Sequence, residues 1–195
     1  MPLGRPRAFD VDEALDQALQ VFWRKGYEGT SLSDLTEAMG INRPSLYAAF
    51  GNKEELFRKA LDRYADGLAS HVGESFDEPT ARGVVERLLR SIADALGDPR
   101  NPRGCLMVQG ALSCGESADP VRQELISRRA ELQDKLCKRL ERALAEGDLP
   151  AGSNPADLAR YVTTISHGLA VHAASGASHD ELRRIVEMAL RAWPT

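Results

Sequence analysis

The stretch Ile41–Phe57, "INRPSLYAAFGNKEELF", holds two helix beginnings ten residues apart. Asn42 is placed to accept a hydrogen bond from the amide of Ser45. Asn52 is placed to do the same for Glu55, whose carboxylate completes a capping box. Between them lies a helix of about two turns, too short to be stable without neighbours. Pro44 falls in its first turn, where no intrahelical amide donor is required.

The residues just before supply the neighbours. "SLSDLTEAMG" reads as a helix opened at Thr30 and Ser31 and ended by Gly40, a residue suited to the left-handed conformation. Helix, tight turn, helix is a helix-turn-helix. Leu32, Leu35, Ile41, Leu46 and Phe50 form its expected core, with Phe22 from a preceding helix that Asp10 opens and Gly26 stops. Such a corner is either purely structural or a reading head, and the outward residues bear on which. Arg43 suits bidentate reading of guanine or a phosphate contact. Ser45 can reach a base edge or a phosphate, and Tyr47 can offer its hydroxyl to the backbone. Lys53 and the free amides of the helix starts at Thr30/Ser31 and Asn52 are expected to hold phosphates on either side. Arg5 and Arg7, in the extended "GRPR" arm, are either minor-groove contacts or part of a solubilising terminus.

Outward from this corner, almost every segment has helical periodicity. A helix follows Asn52 through Leu56, Phe57, Ala60, Leu61 and Tyr64; "ARGVVERLLRSIADALG" is amphipathic; "GDPRNPRG" is a loop. "CLMVQGALSCG" is a helix of low charge. Asp119 as cap with Pro120 after it opens a long helix, Asn154 with Pro155 the next, and Ser178 with Glu181 the last. There is no internal repeat and no alternating strand pattern. The expected class is all-α with about nine helices.

Composition narrows the function classes. The chain has 195 residues, 43% hydrophobic and 28% charged, ordinary values for a globular protein. Its N-terminus has no apolar core of a signal peptide, and its longest uncharged run is too polar for a membrane span, so a cytoplasmic protein without membrane partners is expected. The formal net charge of −4 argues against nonspecific polyanion binding by the whole molecule while leaving room for a local basic face. Cys105, Cys114 and Cys137 have no metal-ligand spacing, so no metal and no cofactor are expected. An enzyme using Cys105, His167 or His172 is the rival reading. The two histidines are five apart, on different helix faces, and no nucleophile motif or phosphate loop accompanies them. No catalytic residue is assigned. A head that binds protein instead of DNA is a third reading, separable by the steep salt dependence that phosphate contacts impose.

Gly26-Tyr27, "TSLSDL" and "AMGINRPSLYAAFGNKEELF", with the amphipathic helix before them, resemble the DNA-binding head of TetR-family transcriptional regulators. The resemblance runs without a gap from about Phe9 to Leu61, and "LYAAFGNKEEL" is its specific part. It implies that Thr30, Ser31, Arg43, Pro44, Ser45, Tyr47 and Lys53 stand where family members touch operator DNA. It also implies a head at 1–54 and an effector-binding and dimerisation body at 55–195. Pro44-Ser45 departs from the small residue and Thr or Ser that the family often has early in its recognition helix, which bears on the operator sequence read.

By the same resemblance the protein is a dimeric repressor released from a palindromic operator by a small-molecule effector. The low charge of "ARYVTTISHGLAVHAASG" and the stripe of the last helix favour an intersubunit bundle over a simple monomer core. Tyr161, Ile165, Leu169, Leu182, Ile185, Val186, Ala189 and Trp193 are the expected interface. Tyr64, Cys105, Met107, Gln109, Leu112, Tyr161, Ile165 and His167 are the candidate effector contacts. Cys105, at a helix start with Arg103 two residues before it, is either an electrophile-sensing thiolate or a small buried hydrophobe; the former gives an alternative, thiol-based regulator.

Overall fold

The computed structural model describes residues 9–113 and 118–194, with their side chains except at 68–71 and 112–113. Its helices are α1 (Val11–Lys25), α2 (Leu32–Ala38), α3 (Arg43–Phe50), α4 (Lys53–Val72), α5 (Ala81–Gly97), α6 (Leu106–Ser113), α7 (Asp119–Ala145), α8 (Pro155–Ala174) and α9 (His179–Arg191). A 3-10 turn, Gly73–Asp77, separates α4 from α5. No strand occurs among the described residues, and the chain is all-α as its periodicity predicts.

Side-chain caps start most of these helices. Asp10 accepts from the amides of Asp12 and Glu13 at 2.8 and 3.1 Å. Asn154 accepts from Ala156 and Asp157, and Ser178 and Glu181 close a reciprocal box at α9. The start of α7 differs from expectation. Ala118 precedes it, and Asp119 is its first helical residue, bonding Arg122 one turn on instead of capping.

The chain divides into two compact units at Ala65–Asp66, inside α4. The division lies later than 54/55 because the first turns of α4 belong to the head's core. Phe57 meets Phe22 edge-on with centroids 4.9 Å apart, and Tyr64 meets Trp23 at 4.7 Å. Leu35, Leu46, Phe50, Leu56 and Leu61 complete that core.

In the second unit α5 packs on α9 and α8, and α7 on α8 and α6. Val85, Leu88 and Leu89 of α5, Leu136 and Leu140 of α7, Val162 and Leu169 of α8, and Leu182, Val186, Leu190 and Trp193 of α9 share one core. The residues expected at a dimer surface lie in or against this core. Leu169, Leu182, Val186, Ala189 and Trp193 are buried within the subunit, while Tyr161, Ile165 and Ile185 are half-buried against the same core. The charge-poor stripes face inward because α5 and α7 cover them. The large apolar side chains that α8 and α9 leave exposed are Val171, at 47%, and Met188, at 63%.

Candidate nucleic-acid interface

Both ends of α3 are tied down. Asn42 accepts from the Ser45 amide at 2.9 Å, as its position before Arg43 predicts. At the far end Gly51, at φ 78°, donates its amide to the Tyr47 carbonyl, and Lys59 Nζ reaches the Phe50 carbonyl at 3.3 Å. The turn before it holds Gly40 at φ 64°, and the Ile41 amide returns to the Thr36 carbonyl at 3.1 Å. Leu46 and Phe50, four residues apart, are buried and fix the inner face. Arg43, Pro44 and Tyr47 are therefore outward, and Ser45 is half-buried. Tyr47 is 48% exposed, a large aromatic side chain left uncovered in a head that buries most of its others.

The first turn of α2 is locked by its own side chains. Ser31 and Asp34 form a capping box, with Ser31 N donating to Asp34 Oδ2 at 2.8 Å and Asp34 N to Ser31 Oγ at 3.0 Å. Lys25, ending α1, bonds Asp34 Oδ1 at 2.7 Å. That bond, with those from the Ser31 amide and hydroxyl, holds the Asp34 carboxyl far below the usual range. Two expectations change here. The amides of Ser31 and Asn52 are not free for phosphate, since Asp34 and Glu55 already occupy them. Thr30 is 1% exposed and donates its hydroxyl to the Gly26 carbonyl at 2.6 Å, so it supports the turn and offers no outward tip.

Two further features had no local sequence signal. Lys53 Nζ sits 4.4 Å from the Tyr27 ring centroid, a cation–π contact between residues 26 apart in the chain. Burial lowers its pKa from the ordinary lysine value, and the charges of Glu28 and Asp34 oppose that shift. Ser33, exposed on α2, accepts from Arg43 Nη2 at 3.1 Å. Arg5 and Arg7 lie outside the described residues.

The candidate effector residues fall in both compact units. Tyr64 lies in the head's core against Trp23. Tyr161 donates its hydroxyl to the Ala189 carbonyl at 3.4 Å, and Ile165 packs on the body core. Met107, Gln109 and His167 are half-buried on α6 and α8, which pack together. The side chain of Leu112 is outside the described set. Cys105, one residue ahead of α6, is half-buried and not in a disulfide. Thr163 and Ser166, which the sequence reading passed over, are buried polar residues of α8. Thr163 Oγ1 lies 3.1 Å from Gln133 Oε1, and Ser166 donates to the Thr163 carbonyl. Among the described residues no cluster of three His, Cys, Asp or Glu could hold a metal, and no helix is long and apolar enough to cross a membrane.

The family model described as "Bacterial regulatory proteins, tetR family" matches residues 14–60, and that of a "Tetracyclin repressor-like, C-terminal domain" matches residues 82–189. The chain belongs to the TetR family of transcriptional regulators. It is 38% identical over 197 residues to the HTH-type transcriptional repressor ComR of Escherichia coli (strain K12), covering 98% of this chain and 92% of that protein. It is 30% identical over 196 residues to the repressor BdcR of the same strain, with 98% and 93% covered. Among solved structures it is similar to a cysteine-substituted TetR-family regulator CifR in complex with 26-bp double-strand operator DNA. The TM-score is 0.94 and the identity 44%, over 98% of this chain and 100% of that one. The helix-turn-helix of this TetR-family chain is α2 with α3.

Proposed function

We propose that this TetR-family protein is a dimeric cytoplasmic repressor that grips a near-palindromic operator through two copies of α3 and lets go when a small molecule binds its body. The observation that carries this reading is the face of α3. Arg43 and Tyr47 stand outward on one side of a helix pinned at both ends, with Leu46 and Phe50 buried beneath. The CifR complex with operator DNA, similar over nearly the whole chain, supports carrying that role over. Arg43 would read base edges from the front of the helix, Ser45 and Tyr47 would add hydroxyl contacts, and Lys53, held by Tyr27, would meet a phosphate. Ser31 would contribute only by loosening its box with Asp34.

A lone eight-residue reading helix makes few base contacts, and pairing doubles them. Val171 and Met188, exposed apolar residues on α8 and α9, are the surface we assign to a second copy, edged by Tyr161, Ile165 and Ile185. Met107, Gln109 and His167, on the paired helices α6 and α8, are the effector contacts we assign. An effector that binds the operator-incompetent arrangement more tightly lowers DNA affinity by that difference.

The test is selection of genomic fragments on the purified protein, then fluorescence anisotropy on the winning fragment at several salt concentrations. A salt-steep, two-fold symmetric site lost in Tyr47→Ala, whose dimer stays intact, is the expected result. Absence of sequence-selective enrichment, before and after refolding away from any bound effector, would overturn the reading. Salt-independent capture would point to a protein partner.

A further inference from the structure

Arg43 is not a loose surface arginine. Its Nη2 donates to Ser33 Oγ at 3.1 Å, from the first residue of α3 to the second residue of α2. Among the described residues this is the protein bond its guanidinium makes, so Nε and Nη1 keep their donors. A guanidinium has only donors, so the Ser33 oxygen is the acceptor and its own hydroxyl proton stays available. Nη2 keeps a second N–H and Nη1 both of its own, so N–H donors remain for O6 and N7 of guanine.

Ser33 is itself held in place. It lies inside the first turn of α2, which the Ser31–Asp34 box closes and Lys25 clamps to α1 at 2.7 Å. Its carbonyl accepts from Thr36 Oγ1 at 3.2 Å. An arginine free to sample its rotamers must lose that freedom when it docks on a base, whereas one already held loses less.

We propose that Ser33 is a positioning residue for operator reading: it holds the Arg43 guanidinium across the front of α3, so that affinity and base choice at the pair read by Arg43 depend on a residue of the preceding helix. The proposal rests on the operator-binding function above. Asn42 fixes the backbone of α3, and Ser33 fixes the side chain that the backbone presents.

The experiment uses the full chain and the operator fragment obtained by genomic selection, together with a set carrying each single base-pair change in one half-site. Wild type, Ser33→Ala, Ser33→Thr, Arg43→Ala and the Ser33→Ala/Arg43→Ala double variant are titrated by anisotropy. Ser33→Ala is expected to weaken operator binding by about threefold to tenfold, the range of one hydrogen bond. It is expected to relax discrimination only at the base pairs where Arg43→Ala also relaxes it. In the Arg43→Ala background the serine change should have no further effect, and Ser33→Thr, which keeps the hydroxyl, should bind as wild type does. Additive losses would overturn the proposal by making Ser33 an independent DNA contact. Uniform weakening over all base changes, with an unchanged discrimination profile, would overturn it in favour of a structural role for Ser33. Failure of wild type to select any fragment would instead remove the operator reading itself, an outcome distinct from selective binding that ignores Ser33.

Discussion

Arg63 on α4 holds Asp16 on α1 with two parallel hydrogen bonds, Nε to Oδ1 at 2.8 Å and Nη2 to Oδ2 at 2.9 Å, and its Nη1 comes within 3.8 Å of Asp12. Asp12 and Asp16 are one turn apart, so the guanidinium faces a strip of negative charge near the start of α1. The bidentate geometry gives this pair more direction than an ordinary surface ion pair, while its partial exposure lets water screen it. The pair fixes α1 against α4, the same two helices that Phe22 and Phe57 join in the core.

The first prediction concerns that pair. Asp16→Ala and Arg63→Ala are each expected to destabilise the protein by about 1 kcal/mol, with a coupling of about 0.5–1 kcal/mol in a double-mutant cycle. Urea denaturation in low and high salt measures both quantities. A coupling near zero at low salt would show that solvent screens the pair entirely.

A second cluster, in the body, ties α5 to α9. Asp94 Oδ1 lies 2.7 Å from His179 Nε2, and Arg183 donates to both carboxylate oxygens, Nε at 2.8 Å and Nη2 at 2.7 Å. A Cβ at Gly97 would meet the His179 ring at 2.6 Å, so glycine there lets the ring lie on the helix. Burial pushes the Asp94 carboxyl up, but the bonds from His179 and Arg183 outweigh it and leave the pKa below the ordinary value. A depressed folded pKa means stabilisation that is complete above the unfolded value, about 4, and is lost as pH falls through the folded one. Asp94→Asn is therefore expected to lower Tm at neutral pH, with the gap from wild type closing below about pH 4. Calorimetry across that range measures it, and a constant gap would show that the effect is not ionic.

How much of this was legible depended on range. Asn42, Asn52 and Ser178 are caps because each has its partner amide two or three residues on, and Gly40 ends a helix because its own backbone permits it. Such signals are local, and the helix-turn-helix followed from them. The box between Ser31 and Asp34 was equally local, and its consequence, that no free amide remains at Ser31, needed only the spacing to be followed through. Thr30 was different, since nothing in the sequence says whether its hydroxyl turns outward or back to Gly26. The stripes of α8 and α9 were legible as apolar but not as inward, because an uncharged face looks the same under α5 as under a second subunit. Ser33 and Arg43 meet only after the turn has folded.

The third prediction separates core from interface on α9. Leu182 is fully buried, whereas Met188 on another face of the helix is 63% exposed. Leu182→Ala should cost about 2–5 kcal/mol of stability through the cavity it leaves. Met188→Glu should leave helicity and monomer stability nearly unchanged but shift the protein toward monomer, and with it weaken operator binding. Sedimentation of the two variants at matched concentration decides this. A dimeric Met188→Glu protein would place the second copy on another surface.

The last prediction follows from His167, half-buried on α8 near Arg129 of α7. Burial and then the charge of Arg129 lower its pKa from the ordinary value. The folded protein therefore prefers the neutral imidazole, while the unfolded chain takes up a proton near pH 6.5. Stability from this group is complete above that pH, declines as pH falls toward the folded pKa, and is level below it. His167→Gln removes the titration and keeps a polar side chain of similar reach. Between about pH 7.5 and about pH 5 the wild type should lose more stability than the variant, as read from urea midpoints at each pH. Equal losses would mean that His167 titrates alike in the folded and the unfolded state.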